Sequence, residues 1–405
     1  MVGTSDQSHP DNLISSDILK SDKVLKSAAI YGANASGKSN VLHALSLMGF
    51  MVMNSHSFQR GLRLPYFPFK FDKGSSDRPT ALEVAFIEKG KEYRYGFEYD
   101  GSKIITEFLY HYPKGRKATV FERHEDQFIF KTDKAEQERI KEMTPENVLY
   151  VSRATQMNYQ KTHAVLEWFG ERLRTVGPSD LVHPMDEKYT LDVMESSKDN
   201  HDAIVRSMTV ADLGIVEIET NRTMVTEEEL DNLMNSAPPE FRPLLSRTKG
   251  RLMRHEVKMK HAIKDRDGHL MMYDLDLREE SEGTKKFFML MGYWVDALRN
   301  GKVLAVDEIE VKLHHHLVRF LIELFHDPQQ NTNGAQLIFT SHDTNLLDLE
   351  FFRRDQIWFT EKDVEDGCTR LYSLSEFSER KDRDIQKGYL TGRYGAIPVI
   401  SGKVV

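Results

Sequence analysis

The first apolar cluster in the chain is the short run "VLKSAAIY" (24–31), which is suited to a buried strand. It is followed by Val41, Leu42, Leu45, Met48 and Val52, spaced as one face of a helix. From residue 80 the pattern becomes alternating. "TALEVAFIEKGKEYRYGFEYDGSKIITEFLYHY" has period two with turn chemistry at "EKGKE" and "YDGSK", which predicts an antiparallel β-layer. Residues 157–250 read as mainly helical with a break at "NSAPPEFRP", and "EVKMKHAIKDRDGHLMMYDLDL" as a hairpin turning at Asp267-Gly268. Beyond it, helical spacing at Phe287, Phe288, Leu290, Met291 and Trp294 precedes a buried strand at Val303–Val306. A second helix, "LHHHLVRFLIELF", is predicted to bury Leu313, Leu317, Phe320, Leu321 and Leu324. A further strand at Leu337–Phe339, a closing hairpin in "QIWFTEKDVEDGCTRLYSL" and a terminal loop at "RYGAIP" complete the chain. Strands alternating with helices predict an α/β fold around a mixed or parallel core sheet.

Composition narrows the function classes. The 405 residues suffice for a large core and two or three lobes, with 40% hydrophobic and 29% charged residues. A net charge of −8 argues against a protein that coats nucleic acid through overall charge. The single cysteine, Cys368, excludes an intramolecular disulfide framework and a C-x-x-C zinc site. With no signal peptide and no apolar run near the length of a membrane span, the expected compartment is the cytoplasm and no membrane partner is expected.

The candidate chemistry begins at "YGANASGKSN" (31–40), where Gly32, Gly37, Lys38 and Ser39 meet the pattern G-x-x-x-x-G-K-[ST] between a predicted strand and a helix. Two glycines let backbone N–H groups curl around phosphate oxygens. Lys38 supplies charge for the β/γ-phosphates, Ser39 a hydroxyl for Mg²⁺, and the helix start its dipole. The strand at 303–306 delivers Asp307 and Glu308 to its C-terminal end, where ligands of open α/β sheets gather. Asp307 suits the Mg²⁺ shell and Glu308 the polarisation of an attacking water, with Glu310 a rival carboxylate. His342 ends the strand that follows one helix later, within reach of a γ-phosphate or water. Ser281 and Gly283 open the helix upstream of the Asp-Glu strand and are able to present hydroxyl and N–H groups to a phosphate. Within one chain that loop would be redundant, so it is expected to serve the nucleotide of a second subunit.

These four elements, in this order, resemble the ABC-type ATPase heads of the RecF, SMC and OLD group, and most closely the abortive-infection AAA family ATPases of bacterial phage defence. The resemblance extends over "SAAIYGANASGKSN", "PYFPFKFD" (65–72), "YRYGFEYDG" (93–101), "ESEGTKK" (280–286), "DEIEVKLHHHLVRFLIELF" (307–325), "FRRDQIWFTEKD" (352–363) and "GRYGAIP" (392–398). It implies an ABC-type P-loop head with an antiparallel β-layer and an inserted helical lobe, and ATP and Mg²⁺ as cofactors. Gly32, Asn34, Ala35, Ser36, Gly37, Lys38, Ser39 and Asn40 then form the nucleotide-binding set, and Ser39 and Asp307 hold the metal. Glu308 and the switch histidine His342 are catalytic, Ser281 and Gly283 are the signature acting in trans, and Gln156 is the Q-loop candidate. Implied partners are a homodimer or higher oligomer of heads and a separate effector, a RloB-like or TOPRIM-type nuclease.

The implied organisation is a polar N-terminal segment over 1–23, an N-terminal ATPase lobe over 24–156, a helical insertion with its hairpin over 157–270, and a C-terminal ATPase lobe over 271–405. Relatives begin with a strand-forming stretch. Here "MVGTSDQSHPDNLISSDILKSDK" is polar, so it is expected to be truncated or flexible and largely unstructured. His314–His316 replace the family's usual wording, and three consecutive helical residues point about 100° apart, so they do not chelate one metal. The basic stretch 242–260 reads either as a solvated lobe surface or as a contact for nucleic acid or an acidic partner. Three functions compete: an ATPase controlling an effector in phage defence, a RecF-like repair ATPase binding DNA directly, and an ATP-dependent scaffold with negligible hydrolysis.

Overall fold

Six strands of four to six residues build the core sheet, and most of their positions are buried. The computed structural model describes residues 1–19, 23–72, 74–75, 78–177, 187–211, 214–236, 253–378 and 384–398. They divide into two compact units. The first comprises Met1–Pro184, Ala297–Val311 and His315–Val405, and the second Met185–Asp296 and Lys312–His314.

In the first unit the core strands run in the order Thr369–Ser373, Ile357–Lys362, Ser27–Gly32, Gln336–Thr340, Val303–Val306, Leu173–Val176. All are parallel except the outermost, Thr369–Ser373, which closes a hairpin on Ile357–Lys362. The Asp-Glu strand and the strand leading to His342 are neighbours in register, with Val303 opposite Gln336 and Val306 opposite Phe339. A five-stranded antiparallel meander (Thr80–Glu88, Lys91–Tyr99, Ile104–His111, Ala118–His124, Gln127–Phe130) forms the separate β-layer, as the alternation predicts. The helix Lys38–Asn54 packs its Leu47, Met48, Met51 and Val52 into one core with Phe86, Tyr95, Phe97 and Leu109 of that layer.

Three expectations change. The polar N-terminal segment is ordered over its described residues: Leu13–Ser15 pairs antiparallel with Lys23–Leu25. Its polar side chains find partners far along the chain. Thr4 donates from N and Oγ1 to Asp355 Oδ2 at 2.7 and 2.8 Å, and the buried Asn12 donates to Phe351 O and Gln356 Oε1 at 3.1 and 2.8 Å. Two of its polar residues are thus tied into the fold, and of these Asn12 is buried. Second, the helix His315–His326 buries Val318, Leu321, Ile322 and Phe325, a face displaced by one position from the one predicted. Its run of apolar residues offers two overlapping stripes, and packing against the sheet selects between them. Third, Leu173–Val176 in the region read as helical is a core strand, and the second unit carries a three-stranded antiparallel sheet, Ile215–Met224, Met253–Lys264 and Leu270–Asp276. The hairpin turn lies where expected, with Lys264 opposite Leu270 and Gly268 at φ +82°. Helices Glu187–Ser196, Lys198–Val210 and Glu227–Ser236 accompany this sheet. Among the described residues, no helix is long and apolar enough to cross a membrane.

One buried histidine anchors the base of the phosphate-loop strand. His326 Nε2 lies 2.8 Å from Ser27 Oγ and 3.4 Å from Gln356 Nε2, and its carbonyl accepts from Lys26 Nζ at 3.0 Å. Burial, with Lys26 and His9 adding to it, lowers its pKa to about 3. The unfolded chain therefore takes up a proton that the native state refuses. The stability this neutral contact contributes is complete above a pH of about 6.5 and is lost as pH falls toward the folded value. Thermal melts of the wild type should lose midpoint between about pH 6.5 and 5, above the range where most carboxylates titrate, and His326→Gln should flatten that slope. Equal slopes in the two proteins would contradict the assignment.

Candidate functional site

The strand Ser27–Gly32 runs into the turn Ala33–Gly37, and the helix begins at Lys38. Two backbone positions shape the turn: Ala35 at φ +60° and Gly37 at φ +100°. Gly32 is required for close approach, since a Cβ there would stand 2.3 Å from Thr360 Oγ1 and 2.6 Å from Ser36 Oγ. At Gly37 a Cβ would stand 2.5 Å from Thr369 Oγ1. The turn is tied to the closing hairpin by Ser36 Oγ with Thr360 Oγ1 at 2.7 Å, and by Thr369 Oγ1 donating to Ser36 O at 2.8 Å. Asn34, Ala35 and Asn40 are exposed, and Asn40 N donates to Gly37 O at 3.1 Å. All eight residues read as nucleotide-binding thus lie in one loop and the first helical turn.

Lys38 is buried and donates from Nζ to Gly32 O at 2.9 Å and Ala33 O at 3.1 Å. Burial lowers its pKa, against the opposing field of Glu308, Asp307 and Glu310. Ser39 Oγ donates to Asp307 Oδ1 at 3.1 Å, so the two residues read as metal ligands are in direct contact. A hydroxyl and a carboxylate are hard oxygen donors, a set that fits Mg²⁺, which takes few protein ligands and keeps waters. Thr340 Oγ1 donates to the same Asp307 oxygen at 2.6 Å and accepts from Glu308 N at 2.8 Å. Asp307 N in turn donates to Val176 O at 2.9 Å.

The two rival carboxylates differ in employment. Glu310 Oε1 accepts from His342 N at 2.5 Å, which fixes the backbone at His342, and its Oε2 is buried with no hydrogen-bond partner among the described residues. Glu308 sits at φ +50°, in the left-handed region that non-glycine residues seldom occupy. Its half-buried carboxylate accepts no hydrogen bond among the described residues. His342 is exposed at the same strand edge. The Glu308 carboxylate is therefore without a hydrogen bond among the described residues, whereas Glu310 has one oxygen engaged by the His342 backbone and the other without a partner.

Ser281 and Gly283 belong to the second unit. Ser281 is exposed and its Oγ accepts from Thr284 N at 3.1 Å, capping the helix Glu282–Asn300. A Cβ on Gly283 would stand 2.9 Å from Lys312 O, and Lys312 and Lys285 both pair with Glu282. Gln156 is not brought to the phosphate loop. His56, just past the helix Lys38–Asn54, donates from N to Ser152 Oγ at 3.1 Å. The helix Tyr150–Gln156 therefore abuts the far end of the phosphate-loop helix, about 25 Å from its start. There Gln156 is exposed and accepts from Arg153 NH1 at 2.5 Å.

Of the basic stretch, Arg242, Arg247, Lys249 and Arg251 lie outside the described residues. Arg254 pairs with Glu229 and Glu256, and Lys260 with Glu217 and Glu219 at 2.7 and 2.9 Å. Three site residues escaped sequence reasoning: Thr340, Thr360 and Thr369. For Thr340 the signal was a hydroxyl residue closing an apolar strand. For the other two there was none, because their role depends on hairpin pairing beside the loop.

A family model described as "AAA domain, putative AbiEii toxin, Type IV TA system" matches residues 27–348, which contain the Lys38 loop, Ser281 and Gly283, the Asp-Glu strand and His342. A search of curated proteins finds no match. Among solved structures, the chain is similar to an SMC head domain from Thermotoga maritima at 12% identity and a TM-score of 0.37, covering 87% of this chain and 92% of that one. It is also similar to an SmcHead bound to the C-winged helix domain of ScpA, at 15% identity, a TM-score of 0.42, and 87% and 92% coverage. A third is an Smc head domain with an extended coiled coil bound to the C-terminal domain of ScpA, derived from Pyrococcus furiosus, at 12% identity, a TM-score of 0.37, and 92% and 94% coverage. The family match spans well over half of the chain and includes every element of the loop-and-carboxylate site: the chain belongs to the AAA-domain family of the AbiEii type.

Proposed function

We propose that this protein binds ATP with Mg²⁺, hydrolyses it, and dimerises around it to regulate a separate effector in phage defence. The observation that carries the chemistry is the contact between Ser39 and Asp307, with the uncommitted Glu308 carboxylate beside them. In this reading the loop N–H groups and Lys38 hold the β/γ-phosphates, and Ser39 and Asp307 hold the metal, which neutralises developing phosphate charge when bound. Glu308 orients and polarises the attacking water, and His342, whose backbone Glu310 fixes, faces the γ-phosphate. The exposed, capped helix start at Ser281 supports a signature role toward a partner's nucleotide. The family description, with its toxin and antitoxin-system wording, supports the defence setting, and a nuclease of RloB or TOPRIM type is the proposed effector.

Lys38→Ala should abolish nucleotide binding in equilibrium dialysis. Glu308→Gln should bind ATP as the wild type does and turn it over roughly 10²–10⁴ times more slowly, since only water activation is lost. Unchanged turnover in Glu308→Gln would transfer the role to Glu310.

The trans arrangement has its own test. Ser281→Arg should bind ATP and hydrolyse it poorly, and mixing it with Lys38→Ala should restore activity well above either alone. In the mixed dimer one composite site carries both lesions and the other neither. Mixed activity no greater than the sum, together with Glu308→Gln remaining monomeric in ATP by light scattering, would end the two-head model.

A further inference from the structure

The segment "PYFPFKFD" carries two of the most exposed aromatic residues described, Phe67 at 69% and Phe71 at 71%, and the phosphate chemistry leaves both unused. The segment is not loose. At one end Leu64 N donates to Gly101 O at 3.0 Å, Tyr99 OH donates to Pro65 O at 2.9 Å, and the Tyr66 and Tyr99 rings meet edge to face. At the other end Phe71 lies against the closing hairpin. Lys362 Nζ stands 4.3 Å from its ring centroid, a Cβ on Gly367 would stand 3.3 Å from its ring, and Phe69 meets it edge to face.

The hairpin register links that ring to the phosphate loop. Lys362 is paired with Thr369 and lies two residues beyond Thr360, so Thr360, Lys362 and Thr369 project from one face of the hairpin. Thr360 touches Ser36, and Thr369 touches Ser36 and Gly37. Lys362, about 7 Å along the strand from Thr360, carries the same face out to Phe71. The acids flanking this place, Asp72 next to Phe71 and Asp366 next to Gly367, disfavour phosphate there. The same hairpin face thus leads from the Lys38 loop to an uncharged aromatic surface backed by a cation.

We propose that Phe71 is the stacking platform for the base of the nucleotide held at Lys38, with Lys362 as the positioning residue behind its ring. This rests on the proposed function and adds to it the site of base recognition. An aromatic face accepts any nucleobase without hydrogen-bond readout. The loop therefore sets affinity for the triphosphate, while Phe71 distinguishes a nucleotide from a bare polyphosphate.

The test compares ATP with inorganic tripolyphosphate, both with Mg²⁺, on the full chain. Phe71→Ala should weaken ATP by about tenfold or more and leave tripolyphosphate affinity unchanged, which also shows that the variant is folded. Phe71→Trp should keep ATP affinity, and its added indole emission should be quenched by ATP but not by tripolyphosphate. Equal ATP affinity in wild type and Phe71→Ala would overturn the platform. A parallel loss of both ligands would also overturn it, because the segment would then shape the loop rather than hold the base. Failure of the wild type to bind either ligand would instead refute the nucleotide reading itself.

Discussion

One carboxylate oxygen, Asp307 Oδ1, accepts hydrogen bonds from both Ser39 and Thr340, and the site depends on that convergence. The three residues follow three neighbouring strands of the parallel sheet: Ser39 in the first turn of the helix after Ser27–Gly32, Thr340 at the end of Gln336–Thr340 and Asp307 just past Val303–Val306. Parallel strands in register end at the same level, so their C-terminal residues meet at one edge without any long loop reaching across. An unpaired buried carboxylate is costly. The two hydroxyls satisfy Oδ1 of the half-buried Asp307 and fix its orientation within a field that includes Lys38. Thr340 then holds Glu308 N, and Glu310 holds His342 N, so each catalytic candidate is positioned by backbone rather than by its own side chain. The side chains stay available for chemistry.

The phosphate loop is held from the other side by the closing hairpin. Thr360 and Thr369 press against Gly32, Ser36 and Gly37 so closely that a methyl group at either glycine would collide with them. The hairpin is the last strand pair expected from the sequence, and it constrains the loop conformation and presents Lys362 to Phe71.

Much of this was legible in the sequence, for identifiable reasons. The phosphate loop combines special backbone needs with a fixed spacing, and the β-layer has strict alternation with turn residues between strands, so both are local signals. The Asp-Glu strand is a short apolar run ending in two acids, which suffices to place Asp307 and Glu308. The missed features are those set by distant partners. Leu173–Val176 is four residues long and becomes a strand because Val303–Val306 lies beside it. The N-terminal segment looked disordered because the acceptors for Thr4 and Asn12 lie more than 300 residues away. The bond from His342 N to Glu310 joins residues 32 apart in the chain and has no local signal.

The central claim is that Ser39 and Asp307 form one metal-binding pair serving the nucleotide held by Lys38. It is tested most directly by titrating ATP at graded Mg²⁺ concentrations into the wild type and Asp307→Asn, with melting temperature as the check on folding. The account predicts that wild-type ATP affinity rises with Mg²⁺ and that Asp307→Asn, still folded, loses most of that dependence. The same Mg²⁺ dependence in both proteins would contradict it.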